Sequence, residues 1–233
     1  MHDTLQITTS SGNFAAYVAR PQKLPAPAIV VVHEVFGVNA DMRQSCDELA
    51  AQGYLAICPD LFWRIAPGVE LTDRTEAERA RGLALYNAFD LDAGVGDIAA
   101  TLQAARAMPD VTRKVGVVGY CLGGLLAFLA AARVGPDAAV AYYPGNADKY
   151  VREADRIASP LIVHLAEKDE YIPAEAQRQI SWALKERPQV QVYSYPDRGH
   201  AFARHRGIAY DAQAAALANG RTADFLALHL QQH

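Results

Sequence analysis

Along the chain, short runs of β-branched and apolar residues alternate with longer stretches whose apolar residues recur at helical spacing. Leu5–Thr9 and Phe14–Val18 flank Ser10-Ser11-Gly12 and read as a hairpin. Ala28–Val32 is apolar throughout, as a strand buried on both faces must be. Asn39 is placed to cap a helix in which Met42, Cys46 and Leu49 share one side, closing near Gln52 before Gly53. Tyr54–Cys58 reads as the next buried strand, stopped by Pro59-Asp60, and residues 61–72 as a loop. Helical patterns follow over Glu76–Phe89 and Leu91–Ala107, then a strand over Val115–Val118 and an alanine- and leucine-rich helix over Leu122–Arg133. Further strands are predicted at Ala138–Tyr142, Leu161–Leu165 and Val190–Tyr195. A helix over Pro173–Glu186 separates the last two, and another over Ala209–Leu230 closes the chain.

Strands alternating with helices imply an α/β architecture, a mostly parallel, doubly wound sheet flanked by helices and built as one domain over residues 1–233. Such sheets bind ligands beyond the carboxyl ends of their strands, so chemically capable residues just after strands carry the most weight. With 51% hydrophobic and 21% charged residues in a chain of 233, there is material for one large core. A net charge of −4 and the lack of a basic patch argue against nucleic acid or a membrane surface as partners. The N-terminus lacks the layout of a signal peptide, and no apolar stretch is long enough to span a bilayer, which makes the cytoplasm the expected location. Three widely spaced cysteines without a CxxC pair point to reduced thiols rather than disulfides or a zinc site. The expected unit is a monomer that uses neither metal nor cofactor.

Gly119-Tyr120-Cys121-Leu122-Gly123-Gly124 lies between a predicted strand and a predicted helix, and has the G-x-nucleophile-x-G form of a nucleophile elbow with cysteine in place of serine. A side chain at position 119 or 123 would crowd so sharp a turn. The turn puts the Cys121 sulfur at a helix N-terminus, where the dipole and free N–H groups favour a thiolate, and makes the Leu122 N–H a candidate oxyanion donor. The plainer alternative is a glycine-rich turn with Cys121 as a small buried filler. In this architecture the elbow is followed by an acid and then a histidine, each after a later strand. Asp169 and His200 hold those positions. Asp169 would fix the imidazole tautomer, and His200 would relay the proton. Glu167 and Glu170 flank Asp169, but the loop end favours the aspartate. His164 reads as a core histidine, His2, His205, His229 and His233 as surface or terminal residues, and His33 as a neighbour of the site. Glu34, at the end of a buried strand, needs a partner, and a structural ion pair is one reading of it.

Glu34-Val35-Phe36-Gly37-Val38-Asn39, Cys58-Pro59-Asp60-Leu61, the elbow, Tyr142-Tyr143 and Gly199-His200-Ala201-Phe202-Ala203-Arg204 together resemble the dienelactone hydrolase (carboxymethylenebutenolidase) family, which has the α/β-hydrolase fold. The likeness runs through essentially the whole chain. It implies Cys121 as nucleophile, His200 and Asp169 as its partners, and Glu34 as an acid that contacts the thiol. It further implies Arg79 and Arg204 as holders of a substrate carboxylate, with Arg81 a neighbouring alternative to Arg79. Phe36 and Tyr143 would line the site, and the Val35 and Leu122 amides would form the oxyanion hole. Ala201 stands where the family usually has a hydroxyl residue, and His33 where some members carry an amide. The implied substrate is a small anionic enol-lactone from aromatic-compound breakdown, opened to a thioacyl-enzyme. Thiolate leaves a tetrahedral intermediate more readily than an ordinary alkoxide does, so the leaving group must be activated. Glu34 paired with Arg204 would act as a gate, released when a substrate carboxylate takes the arginine. Other readings are a hydrolase of another activated ester, thioester or lactone, a peroxide-sensitive thiol without a resolving cysteine, and a binding domain without turnover.

Overall fold

The structure, a computed structural model, describes residues 2–231. All of His233 and the side chain of His2, both expected at the surface or a terminus, lie outside the described residues. Strands β1 (His2–Thr9) and β2 (Gly12–Ala19) form the expected hairpin. They share one sheet with β3 (Ala26–Val32), β4 (Leu55–Pro59), β5 (Val111–Tyr120), β6 (Ala139–Tyr142), β7 (Leu161–Ala166) and β8 (Val190–Tyr195). The helices are α1 (Ala40–Ala51), α2 (Glu76–Ala88), α3 (Leu91–Ala107), α4 (Leu122–Arg133), α5 (Ala174–Leu184) and α6 (Ala212–Leu226). The strand order is β1-β2-β4-β3-β5-β6-β7-β8. β2 runs antiparallel to both its neighbours, and the pairs from β4 to β8 are parallel. This is the mostly parallel sheet that the alternation implied, in the α/β-hydrolase architecture that the resemblance implied.

The core follows from the apolar runs. Residues 28–32 of β3 are fully buried, as are Val115, Val117 and the inner residues of β6 and β7. Helix α4 is buried over Leu122–Ala131, so its apolar composition reflects cover on every side rather than one face. Helix α1 starts where Asn39 predicts, its side-chain oxygen accepting from the N–H groups of Asp41 and Met42 at 3.1 Å. Among the described residues, no helix is long and apolar enough to cross a membrane.

Beyond shifts of one or two residues, two boundaries and one whole element differ from the sequence reading. Strand β5 begins at Val111 rather than Val115, because polar Thr112-Arg113-Lys114 extend beyond the sheet's covered part and disguise the strand. Helix α6 begins at Ala212, capped by Asp211, whose carboxylate accepts from the Ala214 N–H at 2.8 Å, and its last turn widens into a π-helical turn over Ala227–Gln231. A 3₁₀ helix over Ala147–Arg156 carries the crossover from β6 to β7 and has no counterpart in the reading. Ala147 and Ala154 are buried and Tyr150 and Val151 pack against the core, a short helical period that the charged residues between them conceal.

The sheet positions the site through one feature of its order. β4 lies on one side of β3 and β5 on the other, so the chain reverses direction of travel between them and opens a crevice at their carboxyl ends. Val32 pairs with Gly119 across β3 and β5. Glu34 and Cys121 each follow that pair by the same interval and leave the sheet side by side.

Candidate active site

Cys121 is half-buried between β5 and α4 with φ 54° and ψ −114°. For a residue with a side chain that conformation costs about 1–3 kcal/mol. Glycines permit the turn: a Cβ on Gly119 would lie 1.9 Å from the Gly123 carbonyl oxygen, and one on Gly123 would lie 2.1 Å from that of Val32. The sulfur stands at the start of α4, whose first N–H, that of Leu122, has no acceptor within the helix. The filler reading of Cys121 does not account for a strained backbone at a half-open position.

His200 and Asp169 meet as expected. Asp169 Oδ2 accepts a hydrogen bond from His200 Nδ1 at 2.8 Å, and its Oδ1 accepts from the Tyr171 and Ile172 N–H groups at 2.8 and 3.2 Å. Three donors therefore hold an aspartate whose side chain is fully buried. Glu167 turns elsewhere and accepts from the Asp197 N–H. With Nδ1 committed, Nε2 faces Cys121 and has no nitrogen or oxygen partner competing for it. Burial alone would push His200 down. The negative charge of an ionised Cys121 and the bond to Asp169 outweigh burial and raise it to about 10.

Glu34 is 1% exposed and does find an arginine. Arg204 Nε donates to its Oε2, and Nη2 donates to its Oε1 at 3.0 Å. Phe36 lies under the guanidinium, whose carbon is 4.8 Å from the ring centre. Burial opposes the charge on Arg204, but the Glu34 carboxylate outweighs it and keeps the guanidinium protonated well above its usual range. A third partner was not foreseen. Arg204 Nη1 donates to Asp73 Oδ2 at 2.6 Å, and the same oxygen accepts from the Ile208 N–H at 2.9 Å. Arg79, exposed on α2, reaches the Asp73 carbonyl oxygen at 2.6 Å rather than Glu34, and Arg81 lies on the exposed side of the same helix.

His33 pins the loop that carries Val35. Its Nε2 accepts from the Leu61 N–H at 3.0 Å, which leaves Nδ1 protonated and donating to the Glu34 carbonyl oxygen at 2.6 Å. Tyr143 is fully buried with φ 37°, its ring edge-on to His200 at 5.0 Å and to Phe202 at 5.6 Å. Burial and then the Glu34 charge push its phenol well above the usual range, and its hydroxyl has no hydrogen-bond partner. Tyr171, 63% exposed, packs edge-on against His200 at 4.8 Å and forms the rim.

One expectation needs correction. His205 is not a surface residue: its side chain is 16% exposed and bonds Glu48 at 3.1 Å. Cys46 lies on a helix and Cys58 on a strand, as expected, and the two meet between α1 and β4, where burial together with the neighbouring sulfur holds the Cys46 thiol well above its usual range. His164 is the satisfied core histidine predicted, bonded to Tyr195 and Thr222 at 2.8 and 3.0 Å. Asp73 and Tyr171 escaped the sequence reading because neither stands in a motif or directly after a strand.

A model of the dienelactone hydrolase family matches residues 14–230. A carboxymethylenebutenolidase of Pseudomonas putida is 45% identical over 214 residues, covering 92% of this chain and 91% of its own. Carboxymethylenebutenolidase 1 of Cupriavidus pinatubonensis is 38% identical over 229 residues, covering 98% and 97%. Among solved structures, a Klebsiella pneumoniae protein provisionally assigned as a dienelactone hydrolase superposes with a TM-score of 0.85 at 26% identity, covering 97% of this chain and 98% of its own.

Proposed function

The chain belongs to the dienelactone hydrolase family and is a hydrolase of esters or lactones, and from that premise we propose that it opens a carboxylate-bearing enol-lactone of the dienelactone type through a thioacyl-enzyme on Cys121. The observation that carries this reading is the buried Arg204–Glu34 pair beside the elbow. Breaking a buried ion pair by removing one partner costs about 3–5 kcal/mol, so only a ligand that replaces the lost charge exchanges with it readily. A substrate carboxylate does so. It takes the edge of Arg204 that Glu34 held, and the freed Glu34 draws the thiol proton away from Cys121.

The thiolate, once formed, stands beside an imidazole that its own charge keeps protonated. Sulfur attacks the lactone carbonyl, with the Leu122 and Val35 N–H groups receiving the developing oxyanion. The ring C–O bond breaks, and the enolate leaves with the proton of His200. Acylation also removes the sulfur's negative charge, the largest of the influences that raised His200, and so weakens the imidazole's hold on its proton. The same residue thereby becomes the base that takes a proton from water as it attacks the thioester. Thiolate leaves, and the product is an open-chain keto acid such as maleylacetate, consistent with a step in aromatic-compound breakdown.

Purified protein assayed with cis- and trans-dienelactone alongside p-nitrophenyl acetate and a simple thioester tests the reading. It requires dienelactone to have the highest kcat/KM and a Cys121→Ala variant to have no turnover. Turnover of the neutral esters with none of dienelactone would replace it with a general activated-ester hydrolase.

A further inference from the structure

We infer that Asp73 is a positioning residue that holds both substrate-facing arginines at once, Arg204 through its carboxylate and Arg79 through its main-chain carbonyl. The inference rests on the carboxylate reading above. Asp73 is 8% exposed and lies in the segment before α2, far in sequence from Arg204. Its Oδ2 accepts from Arg204 Nη1 at 2.6 Å and from the Ile208 N–H at 2.9 Å, and its carbonyl accepts from Arg79 Nη1 at 2.6 Å. One residue thus ties together the start of α2, the Arg204 guanidinium and the chain that follows Arg204.

The division of labour on Arg204 gives Asp73 its purpose. Glu34 occupies one edge of the guanidinium through Nε and Nη2, and Asp73 holds the remaining nitrogen. Exchange of Glu34 for a substrate carboxylate requires that edge to stay where it is while its first partner leaves. A guanidinium bound to Glu34 alone would follow the carboxylate as it moves towards the thiol, because a charge-assisted fork is stronger than the side chain's rotamer preferences. Asp73 on Nη1 and Phe36 under the plane prevent that. Asp73 also carries a charge of the same sign as the substrate. A residue whose only effect were that charge would be a liability, and its removal would improve binding of anions.

The test compares wild type, Asp73→Ala and Asp73→Asn on dienelactone and on neutral p-nitrophenyl acetate, with thermal unfolding of each. Inhibition by 2-furoate, a planar ring carboxylate, reads binding without turnover. Asp73→Ala should lower kcat/KM for dienelactone about tenfold more than for p-nitrophenyl acetate, the effect of losing one hydrogen bond between charged groups. It should weaken 2-furoate by a similar factor. Asparagine keeps an oxygen that accepts from both Arg204 and Ile208, and should restore most of the difference. Equal losses on both substrates would reduce Asp73 to a structural part and overturn the inference. Tighter 2-furoate in either variant would overturn it as well, by showing that the charge only repels. If Asp73→Ala does not fold, asparagine and serine replace the comparison, since serine is too short to reach Arg204. A wild type with no preference for dienelactone over the neutral ester would sink the carboxylate reading itself, and the inference with it.

Discussion

Two residues in the crevice carry conformational or polar costs that only the chemistry explains. Cys121 is strained by its φ, and Tyr143 combines φ 37° with a buried hydroxyl that has no partner. An unsatisfied buried polar group costs about 1–3 kcal/mol. Tyr143→Phe removes the orphan oxygen and keeps the ring against His200 and Phe202, so the variant should be more stable by about 1 kcal/mol in urea unfolding. It should also turn over dienelactone more slowly, if the hydroxyl is held for use with substrate. A less stable variant would mean that the hydroxyl is satisfied in solution after all. Glu34→Gln addresses the gate at the same scale. Glutamine still offers an oxygen to Arg204 but cannot take the thiol proton, and its acylation in a single turnover should slow by about 100-fold. An acylation rate equal to that of wild type would sink the gate.

At the scale of elements, the site depends on how closely α4 approaches the sheet. A Cβ on Gly123 would meet Val32 O at 2.1 Å, Val32 C at 2.6 Å and His33 O at 2.8 Å, all of them backbone atoms that cannot rotate away. Gly123→Ala must push α4 off β3 and should cost about 3 kcal/mol or more, seen as lost soluble yield or a lowered Tm. Gly96, inside α3, is the contrast. No atom lies within 4 Å of a Cβ placed there, so Gly96→Ala should stabilise by about 0.5–1 kcal/mol through helix propensity. The same features decided what was legible in the sequence. Elements with a period were readable, and the residues after β3, β5, β7 and β8 could be assigned because the topology says where ligands go. The 3₁₀ helix over Ala147–Arg156 carries only a short period, Ala147, Tyr150, Val151 and Ala154, set among charged residues that make it read as a loop. Asp73 finds Arg204 only through the packing of the α2 segment against the loop after β8, and His205 finds Glu48 the same way. The meeting of Cys46 and Cys58 depends on the rotation of α1 over β4, which spacing along the chain does not specify.

For the molecule as a whole, buried histidines set the dependence of stability on pH. Burial, then the charge of Arg221, lowers His164 to about 3, and burial lowers His33 as well, its Nε2 being committed to the Leu61 N–H. Both titrate near 6.5 in the unfolded chain. Below that value the unfolded state binds protons that the folded state refuses, so their contribution is complete above about pH 6.5 and is lost as pH falls towards the folded values. His205 has the opposite sign: it is raised chiefly by its bond to Glu48, so its contribution is complete well below about 6.5 and is lost as pH climbs. His200 joins it only when Cys121 is ionised, the condition under which its imidazole is raised to about 10. At the acid end of the window from about pH 5 to 6.5, His33 and His164 set the slope; towards pH 6.5 the unfolded chain begins to lose the proton that folded His205 keeps, and its opposite sign flattens the rise. Stability from urea unfolding should rise there with a slope approaching that of two protons, about 2.7 kcal/mol per pH unit at the acid end. NMR of the folded protein should show two imidazoles, those of His33 and His164, that stay neutral across the same window. A flat stability profile between pH 5 and 6.5, or His164 protonating with an ordinary midpoint, would mean that solvent reaches the core beneath the active site.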